Sequence, residues 1–177
     1  MMSTVKYFFD ISQQQLARQL FANSVLAKQH LQFYESNCGQ YPVIFVSFAE
    51  CTASTWLRMK ALLISIISDA FGDWRHAMES PEIFDNEREL FSKCLRQDED
   101  ALYEVALKKL TVFLHRVYKK RVVVVIDEYE KPLNVAFENG FLDEAVAFLS
   151  GALTGCLKNN PYAVFHFTIP HTSLVHY

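Results

Sequence analysis

The chain alternates between stretches whose apolar residues recur at helical spacing and shorter runs that are apolar nearly throughout. Three such runs stand out: VIFVSF at 43–48, VVVVID at 122–127 and YAVFHFTI at 162–169. A run without polar alternation predicts a strand covered on both faces, as in parallel sheets packed between helices. Helical periodicity fills the intervals. Residues 12–35 predict one helix, with Leu16, Leu20, Phe21, Leu31 and Tyr34 near one face and Ser12 as its N-cap. A second helix carries Trp56, Met59, Leu63, Ile66, Ile67 and Ala70 on one stripe, and Gly72 sits where a left-handed C-terminal residue is wanted. Residues 73–96 are polar and interrupted by Pro81, which predicts short helices and loops.

The next helix is predicted from about Asp98, with Leu102, Ala106, Leu110, Phe113 and Val117 as its stripe. Asp98, Glu99 and Asp100 crowd its start and Lys119, Lys120 and Arg121 its end, as the helix dipole favours. After Pro132 come a short helix or loop and an Asn139-Gly140 turn. A further helix from about Asp143 has Leu142, Val146, Leu149, Leu153 and Leu157 as its apolar face, and Asn159, Asn160 and Pro161 stop it. Helices alternating with apolar strands predict an α/β fold around a parallel sheet, in a single domain over 1–177.

Composition sharpens this picture. The 177 residues are 51% hydrophobic with only five Gly and five Pro, which excludes a disordered or linker-dominated chain. A net charge of −3 gives no electrostatic footprint for direct nucleic-acid binding. The Lys119-Lys120-Arg121 cluster reads as a solvated helix end. Cys38, Cys51, Cys94 and Cys156 show no C-x-x-C pair and no His at ligand spacing, so they read as intracellular free thiols. The opening MMSTVKYFFDISQQQ lacks the pattern of a signal peptide. No apolar run approaches the roughly 20 residues of a membrane span. The expectation is a soluble, intracellular protein without a membrane role, cytoplasmic or nuclear.

Chemistry concentrates in VVVVIDEYEKP at 122–132. A buried parallel strand that ends in adjacent carboxylates delivers them to the rim where open α/β sheets bind ligands. Asp127 is the candidate Mg2+ ligand, since that cation takes one or two carboxylates and completes its shell with water and substrate phosphates. Glu128 is the candidate to orient or deprotonate an attacking water. Thr168, near the end of the third strand, is the candidate polar sensor beside that water. Polar residues also terminate buried strands for structural reasons alone, and the chain contains no G-x-x-x-x-G-K-[ST] phosphate loop.

Other candidates are weaker. His166, His171 and His176 are separated by Pro170 and read as incidental to metal binding. Ser47, Ser54 and Ser150 lack a G-x-S-x-G setting. Tyr7, Phe8 and Phe9 read as core packing rather than a stacking platform. A metal-dependent hydrolase or nuclease using Asp127, Glu128 and Glu130 lacks a catalytic Lys on a second strand.

The ordered blocks KYFFDI, LFANSVLA, YPVIFVSF, VVVVIDEYEKPL and FLDEAVAFLSGALTGCLKNNP resemble the AAA-ATPase-like domain family, whose members often carry a PD-(D/E)XK nuclease-like domain downstream. The DEYEKP block is similar to that family's DEYDKP signature, with Glu130 in place of Asp. The resemblance implies a P-loop NTPase-like parallel sheet of the AAA/ASCE type, flanked by helices, using Mg2+ and ATP. It assigns Asp127 to the cation and nucleotide, and Glu128 and Thr168 to catalysis.

It also implies an incomplete domain. The family's R-F-G-K-S Walker A loop lies just ahead of the block that KYFFDI resembles, where Met1 stands here. The strand before that loop is expected to be missing too, from a central place between the Walker B and sensor strands. The family's L-T-G-V sequence is matched by FTIPHTS, with Ile169 in place of Gly. The expectation is therefore a truncated or degenerate ATPase domain, inactive alone. The alternative is a non-catalytic interaction or regulatory module, with a protein partner or self-association at the sheet edge.

Overall fold

The computed structural model describes the backbone over residues 2–169 and side chains over 3–164. Helix α1 (Met2–Phe9) leads through a 3-10 turn (Ile11–Gln13) into α2 (Gln14–Phe21), α3 (Val25–Gln29) and α4 (Leu31–Asn37). Strand β1 (Val43–Ser47) and helix α5 (Trp56–Gly72) follow, then a 3-10 turn (Arg75–Glu79), α6 (Asp85–Arg96) and α7 (Tyr103–Tyr118). Strand β2 (Val122–Asp127), α8 (Lys131–Asn139), α9 (Leu142–Leu157) and β3 (Ala163–Ile169) complete the order. The α/β class and all three strands agree with the apolar runs.

The three strands form one parallel sheet in the order β1-β2-β3. Val122 to Ile126 are fully buried, because helices cover both faces of the central strand. Removing each of these aliphatic side chains from water is worth roughly 2 kcal/mol. On one face Ile44, Val46, Val124 and Ile126 pack against α5, α6, α7 and α9. On the other, Val43, Val123 and Val125 meet Phe8 and Phe9 of α1, as the core reading of that aromatic group requires, while Tyr7 faces out. In this chain β2 and β3 bond to each other directly, Ile126 beside Thr168 and Asp127 beside Ile169.

The single helix expected over 12–35 is three helices. Asp10, not Ser12, caps the first turn; its carboxylate accepts from the Ser12 backbone N at 2.8 Å and from the Ser12 hydroxyl at 2.7 Å. Ser24 caps α3 by accepting from the Ala27 N at 3.1 Å, which restarts the helical frame. The expected face assembles only in part: Phe21 and Tyr34 pack against the core, Leu16, Leu20 and Leu31 stay exposed, and Ala17 is buried.

Gly72 ends α5 without a positive φ. Helix α7 starts at Tyr103 rather than near Asp98, because Asp98 and Asp100 pair with Arg96 and Lys93 across the connection from α6. Leu102 is consequently exposed. Helix α9 is rotated from the expected face and buries Ala145, Phe148, Leu149, Ala152 and Cys156. Small residues face α7 here: a Cβ on Gly151 would stand 3.0 Å from the Glu104 Cβ. Close approach of the two helices selects the small-residue face over the leucine face. The four cysteines are buried free thiols, and Lys119 pairs with Glu82 at an exposed helix end. Among the described residues, no helix is long and apolar enough to cross a membrane.

Candidate functional site

All three strands run the same way, so their carboxyl ends share one rim, which carries Ser47, Asp127 and Ile169. Helix α1 runs opposite to them. Its C-terminal end is tied to the start of β1 by Gly39 N to Phe8 O and Tyr41 N to Phe9 O, and one turn back Lys6 Nζ lies 5.4 Å from the Phe45 ring centre. The α1 N-terminus therefore points toward the carboxylate rim. Free amides and the helix dipole make such an end favourable for anions.

Asp127 is the last residue of β2 and is half-buried, whereas the five residues before it are sealed in the core. Alternation along the strand puts Asp127 on the same face as Val123 and Val125, the face that α1 covers. Its backbone is held firmly, since its carbonyl accepts from the Phe48 N at 3.0 Å. Among the described residues, its carboxylate takes part in no hydrogen bond or ion pair. The strand thus delivers a carboxylate to the rim and leaves its oxygens to solvent or ligand.

Glu128 adopts a left-handed backbone with φ 52°, which costs a residue with a side chain roughly 1–2 kcal/mol. That conformation turns the chain sharply, and the Lys131 N then bonds the Glu128 carbonyl at 3.0 Å to open α8. The same left-handed φ recurs at Gln97, Lys119 and Asn159; at Glu128 it follows directly on the rim carboxylate. Glu128, Tyr129 and Glu130 are all half-buried. Thr168 is the register partner of Ile126, one step short of Asp127. Its side chain and that of His166 lie outside the described residues, as do His171 and His176 altogether. Ser54 is exposed in the connection from β1 to α5, and Ser150 lies on the outer side of α9.

Among the described residues, no three His, Cys, Asp or Glu side chains lie close enough to share a metal ion. A cation here would draw on one or two carboxylates and complete its shell elsewhere, which suits Mg2+ better than Zn2+. The donor chemistry of Asp127 fits that role.

Two features escape sequence reasoning. The first is Ser47, the register partner of Asp127, which the sequence offered only as a serine without a nucleophile motif. Its position at a strand end was the available signal. The second is an apolar hollow of about 370 Å3 between α8, α9 and the end of β2, lined by Ile126, Tyr129, Leu133, Leu149, Leu153 and Leu157. Leu149, Leu153 and Leu157 of the α9 stripe border this hollow while also packing against the core, and Val146 is exposed.

A family model described as Predicted AAA-ATPase, the AAA-ATPase-like family, matches residues 1–169. No curated protein matches the chain, and no solved structure matches it.

Proposed function

The chain belongs to the AAA-ATPase-like family, and from that premise we propose that its sheet rim is the Mg2+ side of a Mg2+·ATP site. The observation that carries this reading is Asp127: a half-buried carboxylate at the end of a sealed central strand, with no protein partner among the described residues. Bound there, Mg2+ would neutralise charge on the terminal phosphate oxygens of the nucleotide. Asp127 holds the cation directly or through water. Glu128 orients or deprotonates the attacking water, and its strained turn fixes its place relative to Asp127. Thr168 as the polar sensor rests on the family resemblance alone, and the α1 N-terminus faces the anion.

The phosphate cradle is the missing part, because these residues contain no G-x-x-x-x-G-K-[ST]. Phosphoryl transfer depends on positioning and electrostatic stabilisation, so the chain alone is expected to be inactive or nearly so. On this reading the residues 122–132 correspond to the family's Walker B half. ATP hydrolysis by the chain, by D127A and E128Q, and by a chain extended upstream to include any G-K-[ST] loop tests this. Hydrolysis by the unextended chain well above both variants overturns the inactivity, and an extended chain indifferent to D127A overturns the site.

A second reading, an interaction module, is supported by the exposed Leu16, Leu20, Val25, Leu31 and Phe33 on the N-terminal helices. Apolar surface of that kind favours a protein partner or self-association. Light scattering on the chain and on L20E/V25E tests self-association: an oligomer that the double variant dissociates supports it, and a monomer at high concentration argues against it.

A further inference from the structure

Ser47 and Asp127 end neighbouring parallel strands in direct register. Register partners in a parallel pair point to the same face, so both side chains stand on the α1 side of the sheet. Neighbouring strands lie about 4.8 Å apart. A serine hydroxyl and a carboxylate across that gap meet through a rotamer change alone. Both residues are half-buried, and among the described residues neither side chain makes a hydrogen bond. Ser47 also borders a hollow of about 200 Å3 beside β1, lined by Phe45, Ile66, Asp69 and Asp73. The backbone between the pair is fixed by the bond from Phe48 N to the Asp127 carbonyl.

From this pairing we propose that Ser47 is a positioning residue for the rim cation. Its hydroxyl donates to the Asp127 oxygen turned away from the metal and thereby fixes the carboxylate rotamer. The inference rests on the Mg2+ reading of Asp127 and goes beyond it by assigning the carboxylate's neighbour. Partners that orient a metal-binding carboxylate typically change metal affinity by about 10–100-fold when removed. Ser47 supplies one hydrogen bond to one ligand, so the lower end of that range is expected.

The test uses Mn2+ as a spectroscopic substitute for Mg2+, with binding read by electron paramagnetic resonance in the presence of ATP. It compares the unaltered chain with S47A, S47T and D127A, each checked for native thermal unfolding. The expected pattern is about tenfold weaker Mn2+ binding in S47A, near-normal binding in S47T and none in D127A. Normal binding in S47A alongside loss in D127A overturns the role of Ser47 and leaves the metal reading standing. Weakening in S47T equal to that in S47A assigns the effect to packing and also overturns it. Absence of Mn2+ binding in the unaltered chain, or its persistence in D127A, overturns both inferences.

Discussion

Asn160 donates through Nδ2 to the Thr111 hydroxyl at 2.9 Å, joining the start of β3 to the middle of α7 inside the core. The same amide group bonds the Cys156 carbonyl at 3.0 Å, and its oxygen accepts from the Tyr162 N at 3.1 Å. Thr111 in turn donates to the Lys108 carbonyl at 2.7 Å. One buried amide thus ends α9, starts the approach to β3 and anchors both to α7. Asn160→Ala is expected to lower stability by roughly 1–3 kcal/mol, because it leaves buried polar groups without partners. Urea unfolding midpoints of N160A and T111V measure this. The double variant should lose less than the sum of the two, since they share one bond.

Gly39 has φ 67° and lies against α2, where an added Cβ would come within 2.8 Å of the Gln14 Cα. Its carbonyl also accepts from the Gln14 side chain at 3.1 Å. Gly39→Ala meets both an unfavourable dihedral and a clash with backbone. A loss of roughly 2–4 kcal/mol is expected by urea unfolding, from left-handed strain plus overpacking. Loosening of α1 should accompany it, seen as faster amide exchange.

At position 128 the backbone is left-handed, with φ 52°. Glu128→Gly and Glu128→Ala remove the same carboxylate, so the difference between them isolates the conformational cost. E128G is expected to be more stable than E128A by roughly 0.5–1 kcal/mol, the left-handed penalty less the extra unfolded-state freedom of glycine. E128A more stable than E128G by roughly 0.5–1 kcal/mol, the glycine term alone, would show that the turn carries no strain.

Burial pushes the thiols of Cys51, Cys94 and Cys156 up to about 12 from an ordinary value of 9. A thiol raised in this way contributes stability fully present below pH 9, and lost as pH rises toward about 12 while the unfolded chain ionises first. The unfolding midpoint should therefore fall with pH above 9, and a variant with alanine at these three positions should show a shallower fall. A thiol reagent near pH 8 should react slowly with the folded chain and with all four cysteines after unfolding.

The legible parts of the fold are those where local chemistry suffices. Val122 to Ile126 suit only a buried strand, and the polar residues after Asp127 had to lie at its end. Trp56 to Ala70 keep one helical frame, so α5 was visible with Met59, Leu63 and Ile67 in the core. Residues 12–35 failed because periodicity assumes an unbroken frame, and a hydroxyl at Ser24 resets it. The face of α9 was legible in part: Leu142, Leu149, Leu153 and Leu157 do meet the core, but close contact with α7 adds Gly151 and its small neighbours, which hydrophobicity does not favour. Strand order was illegible for a different reason. Nothing local to β2 or β3 states that they are neighbours, and the pairing of Ser47 with Asp127 is a property of register alone. The candidate site was thus half visible: its carboxylates were legible, and its hydroxyl was not.

Between β1 and β2 the chain makes the whole of α5, α6 and α7 before returning to pair in parallel. Closing so large a loop costs entropy before any strand bond forms, and parallel pairing of distant segments is slow for that reason. The rim that holds Ser47 beside Asp127 is therefore a late product of folding. On the proposed reading, a cation bound at this rim would stabilise only the finished sheet. In a refolding experiment, the Mn2+ signal should grow with the slowest kinetic phase, after helical content has already recovered.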